Sequence, residues 1–212
     1  MTHRSTVAQQ LLQIKAIKLS PQNPFTWASG MLSPIYCDNR ISLSYPEVRK
    51  NVVEGFVALS EKFGPFDTIA GVATAGIPHG ALVAHALDLP FIYVRSKAKA
   101  HGRQNLIEGF VKGGENVLVI EDLISTGGSS MLAVDALREA GCNVVGVMAV
   151  FTYGFAKAVT TFENANCPMD TITDYDTLIQ EAVKSNYIDS SQMELLQSWK
   201  SNPKEWASKT IS

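Results

Sequence analysis

Residues 117–130, VLVIEDLISTGGSS, decide the fold and localise the chemistry. Residues 117–120 are apolar without alternation, as in a parallel strand covered on both faces, and 131–140 return to helical spacing until Gly141 stops it. The Ser-Thr-Gly-Gly turn between them therefore stands at the carboxyl end of a strand and opens a helix. Backbone N–H groups of Thr126, Gly127, Gly128 and Ser129 can converge there on one anion, and the two glycines remove the Cβ atoms that would hold a phosphate away. Glu121 and Asp122, just before the turn, would repel that phosphate. They suit instead the hydroxyls of a sugar attached to it, or a metal carried with it.

The same alternation extends outward. Strands are predicted at 68–72, 90–94, 117–121 and 144–151, with helices at about 79–87 and 129–140 between them, which implies an α/β fold: a parallel sheet with helices on both faces. Upstream, Val7, Leu11, Leu12, Ile14 and Ile17 fall close to helical spacing over 5–19 until SPQNP breaks the pattern. Ser44 and Glu47 have capping-box spacing with Pro46 in the first turn, and Val48, Val52, Phe56 and Leu59 mark one face of a helix ending near Gly64. Beyond Tyr153 the pattern predicts a helix over 155–164, a short strand over 171–173, a helix from Asp174, and a last helix opened by Asp189 with Gln192 at capping-box spacing. No linker, internal repeat or low-complexity segment divides the chain, so 1–212 reads as one domain.

A chain of 212 residues with 46% hydrophobic content supplies a full α/β core and leaves no room for a second catalytic domain. A net charge of −2 gives no general attraction to nucleic acid or to an anionic membrane, so an anionic ligand must be held by local clusters. Cys37, Cys142 and Cys167 are scattered without paired metal-ligand spacing and read as reduced thiols. The N-terminus lacks the continuous apolar core of a signal peptide, and no segment approaches the roughly 18 apolar residues of a membrane span, so the expected compartment is the cytosol.

One basic cluster exists. Arg95, Lys97, Lys99, His101 and Arg103 fall within nine positions. Arg95 and Lys99 offer fixed positive charge to a multiply charged leaving group, and His101 can donate a hydrogen bond or a proton to it. Lys97 and Arg103 fit a solvated face equally well. GVATAGIPHG, at 71–80, lacks both the spacing of a dinucleotide fingerprint and the Gly-Lys-Ser/Thr ending of a P-loop, so nicotinamide binding and ATP hydrolysis find no support. His79 and His85 read as helix residues rather than ligands.

The segment VIEDLISTGG resembles the phosphoribosyl-pyrophosphate motif of type I phosphoribosyltransferases: apolar residues, two acids, two apolar residues, then a Thr- and Gly-rich phosphate loop. PFTWASGMLSPIYCDNR (24–40), YVRSKAKAHG (93–102), IEG (107–109) and EDLISTGGSS (121–130) are similar to orotate phosphoribosyltransferases in the same order and at similar spacing. The resemblance covers about residues 10–200. It implies a type I phosphoribosyltransferase-like parallel sheet flanked by helices, with a core of about 41–153 and a small hood from about 1–40 and 154–212. It implies transfer of the phosphoribosyl group of 5-phosphoribosyl 1-diphosphate (PRPP) to orotate in pyrimidine synthesis, with Mg²⁺, in a homodimer that shares its active sites.

The resemblance also assigns residues. Arg95, Lys99 and His101 would meet PRPP on a loop that reaches the neighbouring subunit's site, joined by Glu121, Asp122, Leu123, Ile124, Ser125, Thr126, Gly127, Gly128 and Ser129. Lys99, His101 and Asp122 carry the catalytic assignment, and Tyr36, Cys37 and Ser125 the orotate. The turn at 73–76 falls where backbone amides meet the pyrophosphate. No residue is assigned as a metal ligand, because Mg²⁺ would be carried mainly by PRPP. The chain departs from the pattern where relatives carry Lys, at Leu32, Ala28, Ala75 and Ser96, and at Tyr153, which aligns with an Arg that contacts the base in some members. Two other functions share parts of this pattern. A purine-base transferase would share the sugar-phosphate motif but need a different hood, and a nucleic-acid-sensing regulator would need a basic surface and a DNA-binding appendage.

Overall fold

The computed structural model describes residues 3–27, 30–97, 106–203 and 205–206. The chain opens with α1 (His3–Gln13), which buries Val7, Ala8, Leu11 and Leu12. The helix predicted over 5–19 stops there. Lys15 turns to φ +59°, and Ile17 belongs to strand β1 (Ile17–Leu19) instead. Strands β2 (Phe25–Thr26) and β3 (Leu32–Ser33) make a hairpin, and β4 (Ile35–Cys37) then returns to pair antiparallel with β1. That pairing, with a partner 20 residues away at the Ile17–Cys37 end of the register, overrides the local helical spacing.

A 3-10 turn over Asn39–Ser44 leads into α2 (Pro46–Ser60). The capping box expected from Ser44 and Glu47 is not made: Ser44 closes the turn, Tyr45 is a cap without a side-chain bond, and Pro46 starts the helix with its preset φ. The predicted face of Val48, Val52, Phe56 and Leu59 is buried.

The main sheet contains β5 (Thr68–Val72), β6 (Phe91–Val94), β7 (Ile107–Glu108), β8 (Asn116–Ile124), β9 (Asn143–Thr152) and β10 (Met169–Asp174), in the order β10-β9-β8-β5-β6-β7. Every pairing is parallel except that of β6 with the edge strand β7. Along β8, Leu118 and Ile120 enter the core cluster that holds Val7, Leu11, Phe56 and Trp199. Val117 and Val119 enter the cluster that holds Val134, Leu137 and Phe162. Period-two alternation between two buried faces is why the strand reads as an unbroken apolar run.

The helices are α3 (Gly76–Leu87), α4 (Gly128–Glu139), α5 (Ala156–Asn164), α6 (Tyr175–Lys184) and α7 (Met193–Ser201). Asp174 caps α6 through Thr177 N–H, and the predicted capping box of Asp189 and Gln192 is present on the 3-10 turn that precedes α7. β10 carries the sheet beyond residue 153 and packs with α1. From β5 the chain moves to β6 on one side, whereas β8 continues to β9 and β10 on the other. The carboxyl ends of β5 and β8 therefore open a crevice where the winding reverses, the place where ligands settle on open α/β sheets.

Candidate active site

β8 runs three residues past the predicted strand end, because β9 stays paired with it through Leu123–Phe151 and Ile124–Thr152. Glu121 and Asp122 are thus held by the sheet rather than by a loop. Glu121 is 4% exposed, and its Oε1 accepts from Asp122 N–H at 3.1 Å while Oε2 accepts from Ser129 Oγ at 3.1 Å. Burial, and then the Asp122 charge, push the Glu121 carboxyl well above the usual carboxylate range; burial also raises Asp122, against the nearby Arg40 charge. Among the described residues neither carboxyl forms an ion pair. A buried acid beside a half-buried one, of like charge and unpaired, suits hydroxyl donors or a hard cation brought in with the ligand.

The turn after β8 uses its glycines differently. Gly127 takes φ +85°, and a Cβ there would stand 3.0 Å from the Phe162 ring. Gly128 begins α4, and a Cβ there would meet no protein atom within 4 Å. α4 has no side-chain cap, which leaves its first N–H groups without a capping side chain and suited to an anion. The turn after β5 lies beside this one: a Cβ on Gly76 would fall 2.5 Å from Ile120 O, so only glycine lets α3 start against β8. Its Ala73–Thr74 peptide is cis, and Ala73 N–H donates to Val94 O at 2.8 Å.

Arg95 leaves the sheet next to that turn, after Val94. Its guanidinium, assigned to the leaving group, lies 3.3 Å from Glu108 on the neighbouring antiparallel strand. Lys99, His101 and Arg103 fall outside the described residues, as does Ala28.

A cavity of 340 Å³ opens beyond the acid pair, lined by Thr26, Trp27, Tyr36, Cys37, Leu123, Ser125 and Tyr153. It brings together all three residues assigned to the base, Tyr36, Cys37 and Ser125. Leu123 lines this cavity, and Ile124 is buried in the core with its carbonyl taken by Thr152 Oγ1 and Tyr153 N–H. Thr26 and Trp27 were missed, and Tyr153 had been noted only as a departure. A larger cavity of 610 Å³, lined by Gly154, Asp176, Gln180 and Lys200 among others, holds neither acid pair nor phosphate turn, and its lysine is paired with Asp176 at 2.5 Å.

Tyr153 forms a rigid wall. It is 3% exposed, stacks on Phe155 at 5.3 Å, and meets Trp27 at 5.3 Å and the edge of buried Trp199 at 5.6 Å. Such ring pairs add roughly 0.5–1.5 kcal/mol each beyond the area they bury. Trp27 is fixed in turn by donating from Nε1 to Ile35 O at 3.0 Å. Burial first, and then nearby acidic groups, hold the Tyr153 phenol neutral. Burial, with Asp122 and Asp38, likewise raises the Cys37 thiol, whose Sγ donates to Asn39 Oδ1 at 3.4 Å; it is a neutral wall group, not a thiolate nucleophile.

A sugar on the acids, its phosphate at the start of α4 and a flat base under Tyr153 would meet in one crevice, which is the arrangement of a phosphoribosyltransferase. Residues 50–185 match the phosphoribosyl transferase domain. An orotate phosphoribosyltransferase of Listeria monocytogenes is 53% identical over 207 residues, covering 97% of this chain and 99% of its own. A UMP synthase structure from Leishmania donovani aligns with TM-score 0.77 at 29% identity over 92% of this chain, which spans 42% of that longer one. The orotate phosphoribosyltransferase of Aeropyrum pernix shares the fold, with TM-score 0.75 at 24% identity over 86% of this chain and 99% of its own. The chain belongs to the orotate phosphoribosyltransferase family, which sets aside the purine-base and nucleic-acid-sensing alternatives. It is a pentosyltransferase of pyrimidine synthesis.

Proposed function

We propose that the enzyme joins orotate to the ribosyl phosphate of PRPP in this crevice, with Mg²⁺ carried by the donor and with each site shared between two subunits. One observation carries the reading: Leu123 and Ser125 line the base-sized cavity on the same strand end that holds Glu121 and Asp122. Base and ribose are therefore adjacent by construction. Orotate's ring nitrogen attacks the anomeric carbon as the bond to diphosphate breaks, through an oxocarbenium-like state that needs no protein nucleophile. Glu121 and Asp122 accept from the ribose hydroxyls and face the developing positive charge, while the N–H groups from Thr126 to Ser129 hold the 5′-phosphate.

Two adjacent carboxyl groups without a cation, whose ionised form a bound cation would favour, fit Mg²⁺. Among the described residues no group of three or more His, Cys, Asp or Glu could enclose an ion, so the donor's own oxygens and water would complete the metal's shell. When bound, the metal neutralises charge on the departing diphosphate. Lys99 and His101 are assigned, from the sequence, to that same leaving group. No described helix is long and apolar enough to cross a membrane, and three free cysteines support a cytosolic setting. The test is a rate panel of orotate, uracil, hypoxanthine and xanthine with PRPP, with and without Mg²⁺. Orotate alone should be consumed, and only with the metal; faster consumption of uracil or hypoxanthine would overturn the reading.

A further inference from the structure

The base cavity has two walls from distant parts of the chain. Tyr36 and Cys37 stand on β4, whereas Leu123 follows Asp122 on β8 and Ser125 lies just past its end. Asn39 lies between them, outside every assignment made from the sequence. It is completely buried, and its carboxamide is used at both ends: Nδ2 donates to Asp122 O at 2.7 Å, and Oδ1 accepts from the Cys37 thiol at 3.4 Å. Its own carbonyl accepts from buried Ser42 Oγ at 2.6 Å, which fixes the turn that aims it. A buried amide with both ends paired holds one orientation, since any rotation leaves a polar group without a partner.

We propose that Asn39 is a positioning residue for phosphoribosyl transfer: it locks the Cys37 wall of the base cavity to the backbone of the ribose-binding acid Asp122. The inference rests on reading the cavity as the base site and Asp122 as a ribose acceptor. Asn39 is fully buried and does not line the cavity, so it serves the approach of the attacking nitrogen to the anomeric carbon, not the hold on either molecule. Misplacing two reacting groups by about 1 Å costs on the order of a hundredfold in rate.

The test compares Asn39→Ala and Asn39→Asp with the parent enzyme. The second keeps size but sets a carboxyl oxygen against the Asp122 carbonyl. Rates are expressed per PRPP-binding site counted by calorimetry, which removes any unfolded fraction. The expected result is a kcat lowered about a hundredfold, with PRPP affinity and orotate KM each within threefold of the parent. A kcat per site within threefold of the parent would overturn the proposal, as would affinities that fall in step with kcat. If the Asn39 variants do not fold, Ser42→Ala carries the test, because it keeps Asn39 and frees only its turn. There, a severalfold loss confined to kcat supports the positioning role and an unchanged kcat refutes it. A parent enzyme that ignores orotate would instead defeat the functional reading, so the two failures are distinct.

Discussion

Ser129 Oγ donates to Glu121 Oε2 across 3.1 Å, so the first turn of α4 and the end of β8 are joined through side chains as well as through the chain itself. The bond favours the ionised form of a carboxyl that burial pushes towards its proton. On the proposed reading, the phosphate turn and the ribose acceptor are thereby tuned together.

Removing that hydroxyl should therefore weaken the donor site alone. Ser129→Ala is expected to raise the KM for PRPP about tenfold, the equivalent of roughly 1.5 kcal/mol for a hydrogen bond to a charged group, while the KM for orotate stays put. Ser129 is exposed, so thermal stability should hardly change. Initial rates at varied PRPP and fixed orotate check this, and an unaltered PRPP KM would contradict it.

The two glycines of the turn should separate binding from stability. Gly128→Val adds a side chain where no protein atom lies within 4 Å, so the protein should fold normally yet lose PRPP. Gly127→Ala, at φ +85° and 3.0 Å from Phe162, should cost stability of about 1–2 kcal/mol before binding is considered. Calorimetric titration with PRPP and thermal melts of both proteins make the comparison. Tight PRPP binding by Gly128→Val would show that the phosphate does not approach this turn.

The strand at 68–72 was legible to the residue because all five positions are buried and apolar enough to read as a run. β8 was cut short in the reading because Glu121 and Asp122 break that run, although β9 continues to pair beyond them. The four N-terminal strands have two or three residues each, too few to show a period, and β1 pairs with β4 across the intervening β2–β3 hairpin. The acid pair and the Gly-Gly turn were legible for the opposite reason: their chemistry is contiguous. Trp27 and Tyr153 meet only after the fold closes, so nothing in their neighbouring residues marks them as two walls of one cavity.

His79 should leave a signature in the pH dependence of stability. It is fully buried, neither ring nitrogen has a partner among the described residues, and its ring lies 6.4 Å from Phe56. Burial lowers its pKa to about 4, against about 6.5 in the unfolded chain. Between those values the unfolded state binds a proton that the folded state refuses, so the contribution is intact above pH 6.5 and is lost as pH falls towards 4. The loss amounts to about 2 kcal/mol by pH 5 and about 3 kcal/mol in full. His79→Leu should flatten that slope. The raised carboxyls of the acid pair act with the opposite sign, so the difference between the two proteins in urea titrations at pH 7 and 5 is what reports His79. Parallel pH dependences would mean that His79 is not the titrating group.

The shared-site proposal is testable by mixing two inactive proteins. Lys99→Ala removes a charge assigned to the leaving diphosphate, and losing one such preorganised contact costs roughly 3–4 kcal/mol in the transition state, a hundredfold or more in rate. Asp122→Asn disables the acid pair at the end of β8, which on the proposed reading belongs to the subunit that binds the ribose. If Lys99 serves the neighbouring subunit, a mixed dimer has one site in which both defects meet and one site with an intact lysine beside an intact acid pair. Mixing the two proteins should then restore up to about a quarter of the parental activity, since half of the dimers are mixed at equilibrium and each has one whole site of two. If Lys99 serves its own subunit, every site in the mixture keeps exactly one defect, and no activity returns although subunit exchange is demonstrated by mass or by tag. That outcome would defeat the shared site while leaving the assignments of Asp122 and the phosphate turn untouched.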